Sequence, residues 1–345
     1  MDLSQKVLGT MNGAPVRQFT LTNDRGSSIV CLSAAAAWKN FLVSDANGER
    51  HALLFQFKDW CQYVTNPFHV GHSIGPVGGR IKDGCFTIGA ATYRVPANER
   101  ENLIHGGSGG FSAWNWQAVT EQQRDFVRVV FHRMFSPQDD GFPGTLNAQI
   151  TYTLTNSDEV VIQFSGASDA PTLFDPMTHV YFNLGDAQES ILDHQLMIRS
   201  SRHLEVDQQK LPTGHFIENS GTAFDFSRPR ILGDALKMLH KDSGRGQFDD
   251  AFELTGGDQP AVVLLNRAAH RQISVTTDRN SVVVFTANPD AFGQSKGWEA
   301  DHPFNALAIE AQTLPDAVHH PAFGSIILQA GVTKTYTVRY RFQAI

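Results

Sequence analysis

The chain has 345 residues, and 28 Lys and Arg against 35 Asp and Glu leave a formal charge of −7. That balance excludes a broad nucleic-acid surface, which needs a basic field. With 41% hydrophobic and only 18% charged residues, it also excludes a disordered chain.

Short β-rich runs recur along the chain: Ser28 to Leu32, Ala52 to Phe57, Phe126 to Phe131, Ala148 to Leu154, Val160 to Phe164, Ala261 to Leu265, Ile273 to Thr277 and Val282 to Thr286. Turn signals such as Asn156-Ser157-Asp158 and Gly256-Gly257-Asp258 separate them. At the C-terminus Tyr336, Val338, Tyr340 and Phe342 alternate with polar residues, which predicts a strand with one buried face. Helical signals are few. Ala34 to Ala37 has helix propensity over about one turn, and Asp234 to Lys241 is the best short helix. No linker or repeat divides the chain. The expectation is an all-β fold, one large antiparallel β-sandwich over residues 1–345 with little helix.

Cys31, Cys61 and Cys85 are odd in number and widely spaced, which argues against a disulfide framework and offers no CxxC zinc pattern. No apolar run approaches the ~18 residues needed to cross a bilayer. Met1 to Pro15 lacks a signal-peptide core. A reduced, cytoplasmic protein acting on neither nucleic acid nor membrane is expected.

Two quick matches carry little weight. Gly106-Gly-Ser108-Gly-Gly110 fits the pattern of a hydrolase nucleophile elbow, but Phe111-Ser-Ala-Trp114 after it is no helix start. His69-Val-Gly-His72 and His319-His320 read as chance pairs among 14 histidines, with no acidic partner at ligand spacing. More informative are polar residues set among glycines and apolar neighbours. They run from Gly79-Arg80 and Asn102-Leu-Ile-His105-Gly-Gly107 through Thr178-His179 to Asp249-Asp250 and Glu310-Ala-Gln312.

These segments resemble the aldose 1-epimerase, or galactose mutarotase, family over roughly positions 66 to 342. The blocks are Asn-x-x-His-Gly-Gly at 102–107, Gly-Phe-Pro-Gly-x-Leu at 141–146, His-x-Tyr-Phe-Asn-Leu at 179–184, Leu-Pro-Thr-Gly at 211–214, Phe-Asp-Phe-Ser at 224–227 and Glu-x-Gln-x-x-Pro-Asp-Ala at 310–317. All six occur in the family's order. The resemblance implies a β-sandwich groove that holds a free monosaccharide or disaccharide and interconverts its α and β anomers without metal or cofactor. It places the base on Glu310 and the acid on His179, with His105 beside the ring oxygen. Arg80 and Asp249 match sugar-binding positions. Counting back from Phe252 selects Asp249 rather than Asp250, which falls at a family His. A homodimer is left open.

Several positions depart from the family pattern. Gly79 stands where the family has the Asn before its sugar-binding Arg, Pro76 stands for an Arg, and Val283 stands for a Gln. Asp175-Pro-Met-Thr178 suggests a reshaped loop. Since sites that hydrogen-bond a hydroxyl discriminate strongly, the acid/base pair should be kept while sugar preference shifts. Two alternatives stand beside this reading: a carbohydrate-binding protein without turnover, and an epimerase of a phosphorylated hexose, which would need a cationic pocket. A glycoside hydrolase would need two carboxylates flanking the bond.

Overall fold

A computed structural model describes residues 1–44, 48–185, 190–288 and 304–345. Among the described residues three large antiparallel sheets dominate, beside several two-stranded ladders. The first has five strands in chain order: Asp2–Met11, Ala14–Thr22, Ser28–Leu32, Ala37–Ser44 and Arg50–Ala52. The second has nine. Its centre is Leu146–Thr155, Glu159–Ser168, the C-terminal Thr333–Ala344 and Arg271–Thr277, in that order. Burial alternates cleanly there: Val338, Tyr340 and Phe342 are buried while Arg339 and Arg341 are exposed, as a period of two requires.

The third sheet has six strands, ordered Tyr181–Phe182, Leu307–Gln312, Ser281–Thr286, Asp249–Glu253, Arg202–Val206 and Pro212–Glu218. Its strands come from scattered stretches of sequence, so the pairing is non-local. One hydrophobic cluster ties the three sheets together, with members from Phe19 and Trp38 through Ile150 and Ile309 to Tyr340. The architecture is therefore the expected large antiparallel β-sandwich.

The main helix, Leu232–Ser243, contains the expected Asp234 to Lys241 and buries Leu232, Ala235, Leu236 and Leu239. Gly244 ends it at φ 70°, a left-handed cap that glycine adopts without strain. Two local readings differ from the structure. Ala34 to Ala37 is not helical: Ala35 and Ala36 have φ 57° and 43° in a buried turn, so tertiary packing overrides alanine's propensity. Ala52 to Phe57 is a strand only as far as Ala52. Beyond it, the Leu53 N–H donates to the Phe41 carbonyl and the Phe55 N–H to the Tyr181 carbonyl. This segment changes partner between two sheets, so no continuous ladder forms. Among the described residues no helix is long and apolar enough to cross a membrane.

Candidate active site

Directly opposed residues of antiparallel strands point to the same side of the sheet. In the six-stranded sheet Ala251 faces Val283, and Val283 faces Glu310; one row away, Asp249 faces Phe285, which faces Ala308, which faces Tyr181. These rows floor a cleft of about 520 Å³, within the ~300–1,000 Å³ usual for small-molecule sites. Gln312, two residues beyond Glu310, continues the same face and lines the cleft.

The other walls come from loops. The two-residue ladder Arg80–Ile81 against Leu103–Ile104 pairs Arg80 with Ile104, which sets Arg80 beside His105. The main chain holds this joint at both ends: the His105 N–H donates to the Gly79 carbonyl at 2.9 Å, and the Gly79 N–H donates to His105 Nδ1 at 3.2 Å. Because Nδ1 accepts, the neutral imidazole carries its hydrogen on Nε2. Gly79 has φ 67° and would set a Cβ 3.3 Å from Pro315, so an asparagine side chain here would be strained. His179 sits between the short strands Met177–Thr178 and Tyr181–Phe182. Its N–H donates to the His72 carbonyl, and its carbonyl accepts from the Gly71 N–H.

His179 Nε2 lies 3.4 Å from Glu310 Oε1, and both side chains are more than nine-tenths buried. The His179 ring stacks on Tyr181, with centroids 5.0 Å apart, and meets His105 edge-on at 5.3 Å. Burial, with Asp249 nearby, holds the Glu310 carboxyl well above the ordinary carboxylate range. Burial, with His69 and His72 nearby, holds the His179 imidazole well below its ordinary value; His105 is depressed likewise, by burial first. All three shifts follow chiefly from withdrawing a charged form from water.

Charges at the cleft come in pairs. Arg80 donates to Glu99 through Nε at 2.6 Å and Nη2 at 2.7 Å, so it does not pair with neighbouring Asp83. Lys210 Nζ lies 3.5 Å from Asp249 Oδ2. The register question between the two aspartates has a plain answer. Asp249 lines the cleft, whereas Asp250 turns to the opposite face, is buried, and binds Arg245 through two contacts of 2.9 and 2.6 Å.

The structure thus brings together Glu310, His179, His105, Arg80, Asp249, Gly79 and Val283 around one cleft. Sequence reading missed His69, Glu99, Lys210, Phe285 and Tyr181 as lining residues. His69 was set aside as part of a chance pair, yet its ring centroid lies 5.2 Å from that of His105. The His319-His320 pair does have an acidic neighbour: Asp316 Oδ1 meets His319 Nδ1 at 2.6 Å within one turn. Ser108 lies in a loop before a short 3₁₀ turn, Phe111–Ala113, not in a strand-to-helix elbow. Among the described residues His105, His179 and Glu310 bring three potential ligand atoms within 4.8 Å, a donor set zinc would accept. The hydrogen on His105 Nε2 makes that nitrogen a hydrogen-bond donor instead.

The model of the aldose 1-epimerase family matches residues 17–341. The chain belongs to the aldose 1-epimerase family. It is 38% identical to a maltose epimerase of Levilactobacillus brevis over 99% of each chain. It is 34% identical to an aldose 1-epimerase of Streptococcus thermophilus, again over 99% of both. The mouse galactose mutarotase is 29% identical over 99% of each chain. Among solved structures, galactose 1-epimerase from Lactobacillus acidophilus superposes with a TM-score of 0.88 at 25% identity, covering 99% of this chain and 98% of that one. As an aldose 1-epimerase family member the chain is an isomerase, of a kind that interconverts aldose anomers.

Proposed function

We propose that the protein opens and recloses the ring of a free aldose, with Glu310 as base and His179 as acid. Glu310 takes the proton from the O1 hydroxyl while His179 gives one to the ring oxygen, O5. The C1–O5 bond breaks and C1 becomes an aldehyde. Rotation about C1–C2 presents its other face, and reclosure returns both protons by the reverse steps. His105, Arg80 and Asp249 hold sugar hydroxyls through charge-assisted or directional hydrogen bonds.

The single observation behind this reading is the 3.4 Å approach of Glu310 to His179 within the cleft. O1 and O5 are bonded to the same carbon, so the acid and the base must converge on neighbouring atoms. The shifts assist the chemistry. A carboxylate drawn from a raised acid is the stronger base, and an imidazolium of lowered pKa is the stronger acid. The pair needs one proton between the two groups, so its titration belongs to both together.

A phosphorylated hexose fits less well. The cleft's Arg80 and Lys210 are each matched by a carboxylate, Glu99 and Asp249. A 4-linked disaccharide with a free reducing end fits better. The relative named maltose epimerase supports it. Gly79 and Val283 place no amide against the sugar, which removes two grips on a monosaccharide. Anomer exchange followed by polarimetry and NMR on galactose, glucose, xylose, fucose, maltose and glucose 6-phosphate is the test. The expected result is fast exchange of free sugars, with maltose among the best and the phosphate ester poor. Exchange no faster than buffer on every sugar overturns the enzymatic reading. Equally fast galactose and glucose with slow maltose overturns the preference.

A further inference from the structure

His69 and His72 belong to none of the steps above, yet their geometry assigns a definite role to one ring nitrogen at the cleft. His72 is buried, and its Nε2 lies 2.6 Å from the Tyr63 carbonyl oxygen. A carbonyl only accepts, so Nε2 carries the hydrogen. Burial pulls the His72 imidazole down to about 3, so near neutral pH it has only that one hydrogen. Its Nδ1 is therefore a bare lone pair. His69 Nδ1 lies 3.3 Å from it and must be the donor of that contact. Burial likewise pulls His69 to about 4, leaving it neutral. The hydrogen of His69 is thus spent on His72, and its Nε2 is left as an acceptor.

That acceptor sits on the ring edge turned away from His72. The His69 ring lines the cleft, 5.2 Å from His105 and stacked 6.2 Å from His179 by centroid. Among the described residues the hydrogen-bond contact of the His69 side chain is the one its Nδ1 makes with His72. The backbone at His69 has φ 52°, a left-handed conformation that non-glycine residues keep mainly where surrounding structure demands it. His105 faces the same space with the opposite polarity, since Gly79 leaves its Nε2 a donor. The two imidazoles form a donor–acceptor pair on one wall.

We propose that His69 is a substrate-binding residue that accepts a hydrogen bond from a sugar hydroxyl through Nε2, in a tautomer held by the Tyr63–His72 chain. The proposal rests on the cleft being the sugar site, but not on which groups move protons. Two measurements test it. Long-range ¹H–¹⁵N correlation on the ¹⁵N-labelled protein should find His69 in the less common Nδ1–H tautomer and His72 in the Nε2–H tautomer. His72→Ala should release His69 toward Nε2–H. Kinetically, His69→Phe keeps the ring's bulk and removes the acceptor. It should raise KM for the preferred sugar about 3- to 10-fold, the worth of one neutral hydrogen bond, and lower kcat less. His69→Gln, which retains an acceptor, should recover part of the loss. An Nε2–H tautomer at His69, or an unchanged KM in a folded His69→Phe protein, overturns the proposal. Activity surviving in Glu310→Gln would overturn the proton-transfer mechanism and leave these two results standing, so the failures are distinguishable.

Discussion

The six-stranded sheet has two faces built from alternate residues of the same strands, and they do opposite work. One face carries Asp249, Ala251, Val283, Phe285, Glu310 and Gln312 toward the cleft. The other carries Phe252, Val282, Val284, Ile309 and Ala311 into the main hydrophobic cluster, together with Asp250. A one-residue step therefore separates the cleft from the core. Asp249 pairs loosely with Lys210 at 3.5 Å across an open cleft. Asp250 is locked to Arg245 by two close contacts. Residue type alone does not distinguish a cleft-lining carboxylate from a buried, paired one; the side of the strand does.

Substitutions on the two faces should separate activity from stability. Beside the complete loss expected of Glu310→Gln, His179→Asn should lower kcat/KM about 10²- to 10⁴-fold, the usual range for a general acid, with the melting temperature little changed. A similar drop in melting temperature would move His179 to the packing side of the comparison. On the core face, Ile309→Ala should cost about 2–5 kcal/mol by denaturant unfolding and leave the activity of the folded fraction intact.

Asp249→Asn should cost about 10- to 100-fold in kcat/KM. It should also move the limb of the pH profile that Glu310 governs. The negative charge of Asp249 raises the Glu310 pKa, so removing it lets Glu310 ionise at lower pH, and that limb shifts downward. A limb that stays still or moves upward would contradict the electrostatic account. Asp250→Asn should do the reverse of Asp249→Asn in kind, costing about 1–3 kcal/mol of stability through a weakened bond to Arg245 with kcat/KM nearly unchanged. Val283→Gln is the mildest. It should change the ratio of monosaccharide to maltose rates a few-fold by returning an amide to the cleft, read from the same exchange assay.

Much of this was legible in the sequence, and what was missed has physical reasons. Strands such as Val160 to Phe164 and Val282 to Thr286 showed themselves because burial on a pleated strand leaves local composition and alternation. That Glu310, His179 and Arg80 share one cleft was readable from motif order, and that Asp249 lines it from counting back from Phe252. The partner of Arg80 was not readable, because Glu99 is brought to it by loop geometry rather than by spacing. His69 was missed since its meaning lies in a chain of hydrogen bonds through His72 to Tyr63, and no sequence pattern encodes a tautomer. Ala34 to Ala37 misled because buried alanine serves a tight turn as readily as a helix.

The central claim is that Glu310 carries the proton transfer that opens the sugar ring. Two-dimensional exchange NMR on Glu310→Gln, with saturating maltose or glucose and sugar binding measured alongside, tests it most directly. The account predicts that the sugar still binds while α-to-β exchange falls to the buffer rate. Exchange persisting near the unsubstituted rate, with binding intact, would contradict it.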